Sequence, residues 1–149
     1  MTRPLRRLMA GTLVGFIAAG CASSGKTEIT PSTGPAPTVN PDFRVDPALA
    51  QLGGSVFQNQ GCYMCHRIGD GRAAGPDLFG VTERRTIDWL TKFLKNTDEM
   101  LNTDEVAQAL LVEYSRQRMP TIALTDQQIQ GLIHYLQDSA NKLRSRAGE

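Results

Sequence analysis

Apolar residues recur at helical spacing in four stretches of the chain. In the first, Leu49, Leu52, Gly53, Val56 and Phe57 fall three or four apart and share one face. Asp46 precedes Pro47, an N-cap followed by the residue best tolerated in a first helical turn. A helix is therefore expected from 47 to about 60, broken by Gly61. In the second stretch, 86–96, Ile87, Leu90 and Leu94 share one face, while Trp89 and Phe93 sit on a neighbouring one. That helix should be contacted from two sides. A third helix is expected over 104–117, capped by Thr103 or Asp104, with Val106, Ala107, Leu110 and Tyr114 inward. The last opens on Thr125-Asp126-Gln127-Gln128, a capping box, and turns Ile129, Leu132, Ile133 and Leu136 inward. His134 falls about 140° from that face at 100° per residue, an exposed position. Gly69-Asp70-Gly71 and Gly75-Pro76-Asp77-Leu78 are loop chemistry, and Thr97-Asp98-Glu99-Met100 reads as an acidic link between helices. No stretch alternates as a strand would. The expected class is all-α, with four to five helices.

The first 46 residues follow a different pattern. Arg3, Arg6 and Arg7 precede an apolar run at 8–19, the length of an export signal's core and too short to span a bilayer. Residues 1–20 are read as a signal peptide of lipoprotein type. They end in Ala18-Ala19-Gly20 just before Cys21, a run that resembles the lipobox of bacterial lipoproteins, although Ala18 stands where Leu is more common. The alternative is an ordinary signal peptide that leaves Cys21 free. Residues 22–46 are rich in Ser, Thr, Pro and Gly and poor in large apolar side chains, so they cannot bury enough surface to order themselves. Residues 21–46 are expected to be a lipidated cysteine and a flexible tether, 47–140 a domain, and 141–149 a polar tail.

Composition adds little until the signal is subtracted. The chain has 149 residues, 40% apolar and 21% charged, which suits one modest domain with appendages. Its net charge of +1 becomes −2 from residue 21 onward, with 13 Lys and Arg against 15 Asp and Glu. The body of the chain has no basic stripe, which argues against nucleic acid as a partner.

Cys62-Tyr63-Met64-Cys65-His66 carries the chemistry. C-x-x-C-H is the pattern of covalent haem c attachment. Two thiols reach two vinyl groups on one porphyrin edge, and the following imidazole turns to the iron. A redox dithiol would need a βαβ context, and a zinc site would need further ligands. The only other cysteine is Cys21 and the only other histidine is His134. With two thiols committed to one haem, Cys21 has no disulfide partner, which favours lipidation.

An iron held by His66 has a sixth position. Met119 lies on an irregular segment fixed by Pro120, just before the last helix, and is the favoured ligand. Met100 is the second choice, and Met64 sits on the attachment segment itself and cannot reach the opposite face. An open sixth position is the remaining alternative. Arg84 and Arg85 either pair with haem propionates or form a solvated pair. Trp89 either donates its indole N–H to a propionate or packs in the core, which is favoured. The acidic cluster Asp98, Glu99, Asp104 and Glu105 is read as polar surface, with a docking patch as the alternative.

Residues 47–140 resemble a bacterial monohaem class I cytochrome c. The matching pieces are Gly53 with Phe57, Cys62 to His66, Gly75-Pro76-Asp77-Leu78, Met119-Pro120, and Leu132-Ile133-His134-Tyr135-Leu136. The resemblance implies that first and last helices cross at Gly53, packed by Phe57, Leu132 and Tyr135. It implies that the Pro76 carbonyl fixes the His66 ring. The stretch 97–118 is longer than in the smallest members. Arg84-Arg85 before Trp89, together with Met100-Leu101, resembles cytochromes that accompany respiratory reductases or copper-centre assembly proteins.

The function implied is single-electron transfer by Fe(III)/Fe(II) exchange, without enzyme activity, between respiratory donor and acceptor proteins. The chain would be lipid-anchored on the periplasmic side of a bacterial membrane, as a monomer or a subunit of a complex. The alternatives are a haem sensor or peroxidase-like protein with an open iron site, and a relay subunit of a larger respiratory or nitrogen-oxide- or N2O-reducing complex.

Overall fold

A computed structural model describes residues 43–148. The signal peptide, Cys21 and nearly all of the tether lie outside the described residues. Those described form six α-helices and one 3-10 turn, with no strand among them. The helices are α1 Pro47–Asn59, α2 Val81–Arg84, α3 Ile87–Lys95, α4 Thr97–Thr103, α5 Glu105–Glu113 and α6 Asp126–Ala147, and the 3-10 turn is Cys62–Met64.

The caps follow the sequence closely. The Asp46 carboxylate accepts the backbone N–H groups of Ala48 and Leu49, at 2.8 and 3.1 Å. Thr86 caps α3 through the Trp89 amide, and Asp104 caps α5 through the Ala107 amide. Thr125 and Gln128 form the reciprocal capping box of α6.

Helices α1 and α6 cross with backbone against backbone. A Cβ built on Gly53 would lie 1.9 Å from the Gly131 carbonyl oxygen, and one on Gly131 would lie 3.0 Å from the Gly53 nitrogen. Below the crossing, Val56, Phe57, Leu132 and Leu136 form one buried cluster, with Phe57 and Tyr135 ring centroids 5.4 Å apart. Leu90, Ile129 and Ile133 form a second, which seats α3 on α6.

Four local features depart from the sequence reading. The acidic link is a helix, α4, so Met100 is helical. Helix α5 stops at Glu113, not 117, because Ser115 and Arg116 take left-handed φ of 55° and 60°. Helix α6 continues to Ala147 through residues set apart as a tail. His134 is half-buried, not exposed. Its Nδ1 accepts the Asp46 backbone N–H at 2.9 Å and its ring packs on Phe43 with centroids 4.7 Å apart. Burial pushes its pKa down, the Asp46 charge opposing, which keeps the neutral, accepting form.

A Gly53→Ala protein must separate α1 from α6 and should lose about 2–3 kcal/mol, the upper part of the range for overpacking. Denaturant unfolding of the haem-loaded protein measures this, and an unchanged midpoint would show that the crossing is looser than described.

Candidate haem-binding site

Helix α1 ends by handing the chain to the attachment turn. Gly61 adopts a left-handed φ of 71°, and the 3-10 turn at Cys62–Met64 follows. The His66 amide returns to the Cys62 carbonyl at 3.0 Å, so thiols and imidazole come from one tight bend. Cys62 and Cys65 are half-buried and form no disulfide. Burial pushes the Cys62 thiol above its ordinary pKa and keeps it neutral, with the Cys65 charge acting the same way and a backbone N–H opposing.

His66 Nδ1 lies 2.9 Å from the Pro76 carbonyl oxygen. A carbonyl only accepts, so Nδ1 carries the proton and Nε2 keeps a lone pair for a metal. Gly75 makes room for the ring. A Cβ there would fall 2.5 Å from His66 Cε1 and 2.9 Å from Nδ1. The Gly75 amide also donates to the Cys65 carbonyl at 2.8 Å, stitching loop to turn.

Asp77 stiffens the same loop. Its carboxylate accepts backbone N–H groups from Gly69 at 2.9 Å, Gly71 at 2.6 Å and Phe79 at 2.7 Å. Burial pushes its pKa up, but these donors and the Arg84 charge outweigh that and hold it below the ordinary range. The carboxylate is therefore ionised and fully bonded above about pH 4, and loses these bonds only as pH falls through its lowered pKa.

These groups open onto one crevice of about 200 Å³. Cys62, Cys65, His66, Met119 and Pro120 all line it. Phe93, Leu101, Leu110, Leu111 and Tyr114 supply apolar wall, so α4 and α5 close one side of the site. Met100 does not line it. Arg118 ties the residue beside Met119 back to α4, with Nη2 2.6 Å from Asp98 Oδ1 and 3.2 Å from Asn102 Oδ1.

A second cavity shares Pro76, Leu110 and Tyr114 with the crevice and holds Arg84, Arg85 and Trp89. Their donors are differently placed. Arg84 binds the carbonyls of Phe79 and Asp77, the latter at 3.0 Å. The Trp89 indole N–H is its one side-chain donor, and Asp104 Oδ1 accepts it at 3.2 Å. Its ring stacks on Phe93 with centroids 5.0 Å apart. Arg85 lies over the Trp89 ring at 5.5 Å and has no carboxylate within ion-pair distance among the described residues. Burial, aided by the Arg84 charge and opposed by Asp104, lowers its pKa. Asp98 and Asp104 of the acidic cluster are both engaged internally.

Sequence reasoning did not single out Gly131, Asp77 or Arg118. Gly131 sits inside the helical pattern on the inward side, four before Tyr135, and that spacing was the available signal. Among the described residues no three His, Cys, Asp or Glu side chains gather as a cluster that could hold a bare ion. The donors instead frame an apolar slot with two thiols at its rim, which fits a porphyrin.

A Gly75→Ala protein should lose the His66–Pro76 bond and about 1–3 kcal/mol of stability. The His66 ring N–H would no longer exchange slowly in proton NMR of the ferrous protein, and persistence of a slow ring proton would refute the close fit.

No curated protein sequence matches significantly. Cytochrome c from Rhodothermus marinus is 34% identical, with a TM-score of 0.61, covering 66% of this chain and 83% of its own. An engineered form of that protein, bound to a carbene intermediate, is 33% identical with a TM-score of 0.58, covering 72% and 91%. The cytochrome c domain of pp3183 protein from Pseudomonas putida is 33% identical with a TM-score of 0.57, covering 65% and 95%. The cytochrome c family profile matches residues 50–140, including Cys62, Cys65 and His66. The chain belongs to the cytochrome c family, and haem c is its covalent cofactor.

Proposed function

We propose that this protein is a membrane-tethered, single-haem carrier of electrons on the periplasmic side of a bacterial membrane. Cys62 and Cys65 hold the porphyrin, and His66 and Met119 bind its iron from opposite faces. The observation that carries this reading is that His66, turned by the Pro76 carbonyl, and Met119 line one crevice. His/Met ligation raises the reduction potential, because thioether sulfur disfavours the ferric state. Iron saturated by two protein ligands passes electrons without making or breaking bonds to substrate, so the reading is a carrier, not an enzyme. The carbene of the engineered relative belongs to that protein.

Arg85, with Arg84 beside it, is the cation we assign to the haem propionates, because it is half-buried and without a carboxylate. Residues 1–20 direct export, Cys21 carries the lipid, and residues 22–46 are the tether. No helix among the described residues is long and apolar enough to cross a membrane; in this reading the anchor is the lipid on Cys21. The partners are a respiratory donor and a respiratory acceptor, between which the tether keeps the domain at high local concentration.

The ferric spectrum tests the ligand assignment. A sulfur-to-iron charge-transfer band should be present, vanish completely in Met119→Ala, and survive in Met100→Ala. A high-spin spectrum with immediate carbon monoxide binding in the unaltered protein would instead mean an open-site sensor or peroxidase.

Membrane attachment has its own test. Cys21→Ser should move the red protein from the membrane to the soluble fraction, since each buried acyl CH₂ is worth about 0.8 kcal/mol. Retention at the membrane would point to a partner complex that holds the domain as a relay subunit.

A further inference from the structure

The family match ends at residue 140, yet α6 runs on to Ala147. These extra turns reach the loop that carries Pro76. At Gly69, a Cβ would lie 2.8 Å from Leu143 Cδ1, so the leucine methyl closes directly on the loop backbone. The Arg144 guanidinium lies over the Phe79 ring, 5.1 Å from its centroid. Its Nη2 donates to Glu83 Oε2 at 2.6 Å. Two turns earlier, Gln137 Oε1 accepts the Thr82 hydroxyl at 2.5 Å, and Gln137 Nε2 lies 3.5 Å from Glu83 Oε1.

The loop transmits this grip to the haem ligand. Its two ends are fastened by Asp77 to Gly69, Gly71 and Phe79, and Arg84 of α2 holds the carbonyls of Asp77 and Phe79. Pro76 lies inside that frame, and its carbonyl meets His66 Nδ1. We propose that Arg144, with Leu143, is a positioning brace: the extended end of α6 holds loop 69–80 against the domain, and through it the Pro76 carbonyl that orients His66.

Two further observations support the brace. Both partners of the Arg144–Glu83 pair are only about a third exposed, at 29% and 35%, so the pair is partly shielded from solvent. Glu83 is held below its ordinary pKa chiefly by the Arg144 hydrogen bond, against burial, with Gln137 and the charges of Arg144 and Arg84 helping. The brace is therefore ionised above about pH 4 and fails only as pH falls through that lowered value.

The inference rests on the reading that His66 binds iron. Hydrogen exchange of the ferrous haem-loaded protein, followed by NMR, tests it. In Arg144→Gln, the His66 ring N–H and the amides of Gly69, Gly71 and Phe79 should exchange roughly tenfold faster, while the amides of α1 and α3 keep their rates. Arg144→Lys keeps a cation beside Glu83 and should restore slow exchange. Unchanged rates at the ring and loop, equal acceleration in every helix, or failure of the lysine to restore protection would each overturn the brace. Absence of imidazole ligation in the spectrum of the unaltered protein would be a separate failure, of the His66 assignment itself.

Discussion

Backbone meets backbone where Gly53 of α1 passes Gly131 of α6, and the positions of the other functional parts follow from that contact. With no side chain between them, the two helices approach until the carbonyl of one occupies the space a methyl would need on the other. This close approach brings Phe57, Tyr135, Val56 and Leu132 into one cluster directly beneath the crossing. It also sets where α1 can end. Gly61 turns the chain left-handed within two residues of that end, and the thiols emerge on the next turn. The same crossing aims the far end of α6 at the loop bearing Pro76. One steric allowance thus places both the attachment turn and the loop that orients its imidazole.

The chemistry of the site then reduces to which nitrogen of His66 carries a proton. A backbone carbonyl cannot donate, so a 2.9 Å contact from Pro76 assigns the proton to Nδ1 and leaves the lone pair on Nε2. The chain supports that carbonyl with unusual care. Asp77 accepts three backbone amides, and the Arg84 guanidinium covers two carbonyls beside them. Each of these groups is charged and each faces partners of the opposite sense, so loop and imidazole form one connected network. Arg85 is the exception. It lines the neighbouring cavity with its guanidinium over the Trp89 ring and no carboxylate within ion-pair distance among the described residues.

Much of this was legible in the sequence, and the boundary of legibility has a physical basis. Caps at Asp46, Asp104 and Thr125 were readable because a cap is a local bond between near neighbours. The four main helices were readable from the spacing of their apolar residues. Cys62, Cys65 and His66 were readable because three bonds to one cofactor demand a fixed local spacing. Long-range pairings were not. Nothing local marks Asp104 as the partner of Trp89, Asp98 as the partner of Arg118, or Asp46 as the donor to His134. The α5 boundary was overestimated because Ser115 and Arg116 are ordinary helical residues in sequence. Only the fold makes them turn. Residues 97–103 read as a link because their polar side chains mask a helix whose buried positions, Thr97 and Leu101, are only two.

The segment leading to Met119 gains its order from that unforeseen helix. Two consecutive non-glycine residues in left-handed φ cost of order 1–3 kcal/mol each, and persist only when their surroundings impose them. The Arg116 amide is held by the Leu111 carbonyl at 2.7 Å, and Arg118 is held by Asp98 and Asn102 of α4. The reversal after α5 is thereby clamped on both sides, and Met119 follows immediately. Leu101 of α4 and Leu110 and Leu111 of α5 meanwhile form wall against the crevice. Helices α4 and α5 therefore do two things with one placement: they line the crevice with apolar side chains and hold the methionine segment at its edge. A centre built this way has little freedom to rearrange when its charge changes by one unit. That rigidity suits a site whose task is to gain and lose an electron without moving its ligands.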